Sequence, residues 1–150
     1  MDLFWFIQYQ LKLNNLMATS NLSSPLAIEQ TPDGYRYSIE PFLLVNFASL
    51  STGSRLLDIG TGCGIIPLLA SRQVELGKIT AIEIQKSLYD LAVINMSKNG
   101  ISNKVSLVHG DFTDSTLNSK DGLFDTVISN PPYRKLNTGR MNPSHEKAVA

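Results

Sequence analysis

The chain has 150 residues, 43% hydrophobic and 17% charged, which suits one globular core and argues against a disordered chain. Thirteen Lys and Arg balance 13 Asp and Glu, so bulk charge makes no case for nucleic acid, and such a partner must be held by a local basic patch. The single cysteine, Cys63, excludes an internal disulfide and fits a reducing cytoplasm, and with only His109 and His145 as histidines no metal centre is expected.

Residues 1–13 are rich in Phe, Trp, Ile and Leu. They lack a basic leader, Gln8, Gln10 and Lys12 interrupt them, and they are too short to span a membrane. Neither a signal peptide nor a membrane partner is expected. Two readings stay open: an amphipathic helix packed on the domain, or translation starting at Met17. Residues 14–24, rich in Asn, Ser and Thr, read as a linker. Residues 1–30 are therefore taken as an N-terminal extension and linker, and 31–150 as the domain. Thr31-Pro32-Asp33-Gly34 signals a turn, and 35–39 alternates like a short strand. Pro41 opens an apolar run through Ala48, and proline suits a first helical turn, so a helix is predicted.

Strands and helices then alternate. The run 55–59 is short, apolar and followed by glycines, as a buried strand would be. Residues 63–72 read as a helix with Pro67 in or near its first turns, and 78–84 as the second strand. A helix over 86–99 carries Leu88, Leu91, Ala92 and Asn95 on one stripe and stops at Gly100. The third and fourth strands are predicted at 104–108 and 124–129. This alternation implies an α/β fold with a mainly parallel sheet and flanking crossover helices. A fourth strand at the chain's end would be a bare parallel edge, so the chain reads as truncated after it.

The sharpest motif is Leu57-Asp58-Ile59-Gly60-Thr61-Gly62-Cys63-Gly64, after a strand and before a helix. The glycines permit positive φ and a close ligand approach, and the helix N-terminus offers unpaired N–H groups. A dinucleotide fingerprint would need glycine where Ile65 stands, which opposes a nicotinamide oxidoreductase. Asp58 suits a cationic ammonium or a hydroxyl better than a pyrophosphate. Glu83 closes the second strand about 20 residues on, where an acid can accept hydrogen bonds from ribose hydroxyls. Asp111 and Phe112 follow the third strand. Phe112 is equally readable as a stacking face or as core. His109 reads as a satisfied strand-end histidine, and Cys63 as a small loop filler.

The fourth strand leads into Asn130-Pro131-Pro132-Tyr133 at the carboxyl edge of the sheet, where open α/β folds bind ligands. Proline fixes φ and extends the residue before it, holding Asn130 and the Pro131 carbonyl rigidly. A side-chain amide oxygen and a backbone carbonyl are two acceptors, matching the two N–H groups of an amino group. Tyr133 supplies a face for a planar ring. Two acceptors pulling on an exocyclic amine turn its lone pair toward an incoming methyl, so catalysis is positioning rather than strong base chemistry.

Asp-x-Gly-x-Gly-x-Gly at 58–64 resembles motif I of class I S-adenosylmethionine-dependent methyltransferases, and Asn130–Tyr133 resembles motif IV of those that methylate amino groups. The stretches 34–44 and 139–148, with Gly139-Arg140-Met141-Asn142-Pro143 in the second, narrow the resemblance to the bacterial tRNA(Val) adenine-N6 methyltransferases. It implies a Rossmann-like methyltransferase sheet of about seven strands, about three of them beyond this chain. It also implies S-adenosylmethionine as cofactor, bound by Asp58, Gly60, Thr61, Gly62, Gly64, Glu83, Asp111 (to the adenine amino group) and Phe112. Asn130, Pro131, Pro132 and Tyr133 would be catalytic, and tRNA the partner. Arg134, Lys135 and Arg140 would hold phosphates flanking a flipped base. Two alternatives carry forward: a glutamine-N5 methyltransferase of release factors, and an inactive cofactor-binding fragment.

Overall fold

A computed structural model describes residues 26–30, 39–114 and 122–131. The elements are α1 (Glu40–Phe47), β1 (Arg55–Ile59), α2 (Ile65–Gln73), β2 (Lys78–Glu83), α3 (Lys86–Lys98), β3 (Val105–His109) and β4 (Thr126–Ser129). The four strands form one parallel sheet in the order β3-β2-β1-β4. The α/β architecture expected from the sequence is therefore present. The turn at 31–34 and the strand expected from 35 lie outside the described residues up to 38.

Why these residues form these elements follows from burial. Interior strands of a parallel sheet are covered on both faces and so lack polar alternation. Leu56, Leu57 and Asp58 are all buried on β1, and on β2 every residue from Ile79 to Glu83 is buried. α2 turns Ile65, Ile66, Leu68 and Ala70 into the core, while α3 buries Leu88, Ala92, Asn95 and Met96. α1 packs on α2, and α3 packs on β2 and β3.

The element ends differ from the expected ones for identifiable reasons. α2 begins at Ile65, not Cys63, because Gly64 is its N-cap in the left-handed region at φ 85° and its N–H closes a turn onto the Thr61 carbonyl at 3.0 Å. β4 begins at Thr126 because the chain first docks across β1: Asp125 N–H donates to the Arg55 carbonyl at 3.0 Å and Arg55 N–H to Asp125 Oδ2 at 2.8 Å. Ile39 is the N-cap of α1 instead of a strand residue, and its carbonyl accepts from Phe42 and Leu43 N–H groups at 3.1 and 3.3 Å. Glu40 and Pro41 start that helix, acid and proline both suiting a first turn.

Strand order places the site. β2 and β3 lie on one side of β1 and β4 on the other, so the connections part at β1 and leave a crevice outside the carboxyl ends of β1 and β4. No described helix is long and apolar enough to cross a membrane.

Gly64 joins the loop to α3. A Cβ there would stand 2.6 Å from Met96 Cε and 3.4 Å from Ala92 Cβ, on a backbone at φ 85°. Gly64→Ala is expected to destabilise the domain by about 1–3 kcal/mol, combining left-handed strain with overpacking. Urea unfolding measures it, and an unchanged midpoint would contradict the packing.

Candidate cofactor and amino-group site

The crevice holds a cleft of about 390 Å³ at the carboxyl edge of the sheet, within the range of small-molecule sites. Its floor and rim are the strand ends and the turns that follow them. Gly60, Thr61 and Gly62 come from β1, Glu83 to Gln85 from β2, Gly110 to Thr113 from β3, and Ser129 to Pro131 from β4. Pro41 of α1 and Leu88 of α3 add apolar wall.

The glycine loop is held from both sides. Gly60 and Thr61 N–H groups both donate to the Ile82 carbonyl, at 2.9 and 3.0 Å. Glu83 is 4% exposed, and its carboxylate accepts from Gly62 N–H at 2.8 Å through Oε2 and from Gln85 N–H at 2.8 Å through Oε1. A carboxylate has about four lone-pair sites, so Glu83 keeps acceptor capacity toward the cleft while pinning the loop. Gly60 and Gly62 stand at φ 71° and 59°, conformations a side chain would strain, and nothing lies within 4 Å of where a Cβ of Gly60 would be. The loop therefore presents bare backbone to a ligand.

Asp58 is placed differently from the other candidates. It is fully buried, neither carboxylate oxygen has a hydrogen-bond partner, and the Thr61 hydroxyl is likewise unpartnered. It does not line the cleft but lies in β1 beneath the loop. Burial pushes its carboxyl up to about 7; the nearby Thr61 hydroxyl, short of hydrogen-bond geometry, pulls down, and the Glu83 charge adds to the rise. Gly64 also stands behind the wall, against α3.

Asp111 accepts from the Thr113 N–H and hydroxyl at 2.9 and 2.8 Å, both at Oδ1. These bonds hold its carboxyl below the usual carboxylate value, so it stands ionised at the rim. Phe112 lines the cleft and is 48% exposed, so it is not a core residue. Asn130 and Pro131 line the opposite end. Pro132, Tyr133, Arg134, Lys135 and Arg140 lie outside the described residues.

His109 Nε2 is bonded to the Ile84 carbonyl at 3.2 Å and its ring is 5.4 Å from that of Tyr89. Cys63 is buried, and burial pushes its thiol up to about 11, which leaves it protonated and inert. Among the described residues, no group of three or more His, Cys, Asp or Glu could hold a metal. Reasoning from motifs missed Pro41, Ile84, Gln85 and Leu88. Ile84 and Gln85 carried a usable signal, since they directly follow an acid at a strand's carboxyl end.

Residues 40–146 match the family described as methyltransferase small domain. A tRNA1(Val) (adenine(37)-N6)-methyltransferase of Shewanella frigidimarina is 33% identical over 125 residues, covering 81% of this chain and 50% of that protein. A protein of the same description from a Flavobacteriaceae bacterium is 28% identical over 123 residues, covering 82% and 50%. The chain spans about half the length of the relatives it matches. Among solved structures, the human methyltransferase 10 domain containing protein aligns with a TM-score of 0.61 and 18% identity, over 84% of this chain and 64% of that one. The methyltransferase subunit of a type I restriction-modification system from Streptococcus thermophilus aligns with a TM-score of 0.56 and 25% identity, over 70% and 24%. The parallel sheet is thus the Rossmann-like methyltransferase fold.

The buried Asp58 makes a signed prediction. Its folded value of about 7 lies above the 3.8 of a free aspartate, so the folded state holds the proton more tightly. The stability this contributes is complete below 3.8 and is lost as pH rises through about 7. Asp58→Asn should therefore gain on the parent by about 2 kcal/mol more at pH 8 than at pH 5 in the ligand-free protein. Urea unfolding at the two pH values checks it, and a pH-independent difference would rule it out.

Proposed function

The chain belongs to the methyltransferase small-domain family, and from that premise we propose that it is the cofactor-binding part of a cytoplasmic S-adenosylmethionine-dependent N-methyltransferase acting on adenine N6 of tRNA beside the anticodon. The observation that carries the reading is the meeting of four strand ends at one cleft, with the bare glycine loop, Glu83, the Asp111–Phe112 rim and Asn130–Pro131 all on its wall. Residues 31–150 form the domain in this reading, and 1–30 its N-terminal extension. The tRNA substrate rests on the descriptions of the relatives and on the basic residues Arg134, Lys135 and Arg140.

The cleft's chemistry fits this cofactor. An adenosyl group needs acceptors for its hydroxyls and an apolar face for its ring; Glu83 supplies the first, and Ile84 with Phe112 the second. Its charge fits as well: the loop sits over Asp58, whose carboxyl lacks any partner. A cation above the loop favours the ionised form of Asp58 and offsets the cost of its burial. When bound, S-adenosylmethionine supplies an electrophilic methyl group on a sulfonium that is itself a good leaving group.

The chain's own part is positioning. Asn130 Oδ1 and the Pro131 carbonyl accept the two hydrogens of the target amine and aim its lone pair into the cleft, with Tyr133 stacking the base. Drawing the lone pair of the amine out of conjugation with the ring costs less when both hydrogens are already bonded to acceptors. The proton released after transfer passes to Asn130 or to water.

Two measurements follow. Asn130→Ala should lower single-turnover transfer of labelled methyl to valine tRNA by about 10²–10³-fold while leaving S-adenosylhomocysteine affinity within about twofold. Label entering a release factor instead of tRNA would move the substrate to glutamine N5, and cofactor binding with no transfer to either would leave an inactive binding fragment. Affinity for S-adenosylmethionine should also fall as pH drops below about 7, the value to which burial raises Asp58, and Asp58→Asn should flatten that profile. An identical pH profile in the variant would remove Asp58 from the ligand's electrostatics.

A further inference from the structure

Asn95 is wholly buried on α3, yet it is not core in the ordinary sense. Its Nδ2 donates to the Cys63 carbonyl at 2.8 Å and to the Glu29 carbonyl at 3.0 Å, and its Oδ1 accepts from Glu29 N–H at 2.7 Å. One turn on, Asn99 treats Ala27 the same way: Nδ2 donates to the Ala27 carbonyl at 2.7 Å and Oδ1 accepts from Ala27 N–H at 3.3 Å. Two side-chain amides thus read both backbone groups of alternate residues in segment 26–30, as a neighbouring strand would. Leu26 and Ile28 pack against the core, and Lys98 pairs with Glu29.

The Cys63 carbonyl belongs to the peptide that leads into Gly64, the left-handed cap of α2. Turning that peptide would move both the carbonyl Asn95 holds and the start of the helix whose Ile65 and Ile66 line the cleft. The Asn95 amide is therefore bonded at once to the segment and to the loop. None of segment 26–30, Asn95 or Cys63 lines the cleft.

We propose that Asn95 is a positioning residue that couples seating of segment 26–30 to the shape of the glycine loop, and hence to cofactor affinity. The physical reason is that a buried amide must satisfy its donors and acceptor together. If Glu29 leaves, Oδ1 and one Nδ2 hydrogen lose their partners. The amide then rotates to recover them, and the bond to the Cys63 carbonyl is the one it gives up. The affinity part of this proposal rests on the site being a cofactor site, whereas the coupling itself does not.

The contrast between Glu29→Pro and Glu29→Ala tests it in the full chain. Proline removes the N–H that Asn95 Oδ1 accepts. Alanine removes only the side chain that pairs with Lys98 and keeps both backbone bonds. Isothermal titration with S-adenosylhomocysteine should show affinity weakened about fivefold to tenfold in Glu29→Pro and within about twofold of the parent in Glu29→Ala. In the ligand-free protein, the Gly62 and Gly64 amides, bonded to Glu83 Oε2 and the Thr61 carbonyl, should exchange faster in the proline variant alone. Asn95→Ala should reproduce both effects if it folds. Equal exchange in the two Glu29 variants overturns the proposal. Faster exchange in the proline variant of a protein that takes up no S-adenosylhomocysteine upholds the coupling and removes the cofactor reading instead.

Discussion

Parallel pairing brings the carboxyl ends of β1, β2, β3 and β4 to one edge of the sheet, and what this domain can offer a ligand depends on that constraint. An antiparallel neighbour would send alternate strand ends to opposite edges. Here Ile59 pairs with Ile82 on one side and Ser129 on the other, and Glu83 pairs with His109. Residues separated by some 70 positions in sequence, such as Gly60 and Asn130, therefore lie on one cleft wall. The reversal of strand order at β1 keeps helices from covering it.

Electrostatics at that edge pull in two directions. Glu83 accepts from two backbone N–H groups, which ties the glycine loop to the end of β2. Asp58, two residues before the loop, has no such donors, and burial raises it to about 7. A buried carboxyl without partners is a standing cost to the folded chain. Costs of this kind persist where a site is built to receive something of the opposite character, and a cationic ligand over the loop is the occupant that would relieve it. The thiol of Cys63, in the same surroundings, is also pushed up by burial, to about 11.

The loop also shows how one element serves two neighbours. Its glycines leave backbone bare toward the cleft, and Gly64 lets α3 approach from behind to 2.6 Å of where a Cβ would stand. That approach carries Asn95 within reach of the Cys63 carbonyl. The result is a run of hydrogen bonds from segment 26–30 through α3 to the glycine loop. Read as a stripe with Leu88, Leu91 and Ala92, Asn95 looked like one more core position. Burial was legible there, but which carbonyl the amide would find was not.

What the sequence determined by itself was the local grammar. A short apolar run marked β1, because a parallel sheet buries both faces of its interior strands. Glycines after a strand marked the loop, because only they accept φ near 71° and 59° cheaply. Acids and an Asn-Pro pair at or just past strand ends marked Glu83, Asp111 and Asn130 as groups for one edge. Only the tertiary structure decided the distances across that edge. It put Asp58 under the loop instead of on the cleft wall, started α2 after the Thr61–Gly64 turn, and gave Glu83 its second task of pinning Gly62. Each of these depends on contacts between separate elements. Spacing along a chain records which way a residue faces on its own strand, and not what the neighbouring strand or helix brings against it.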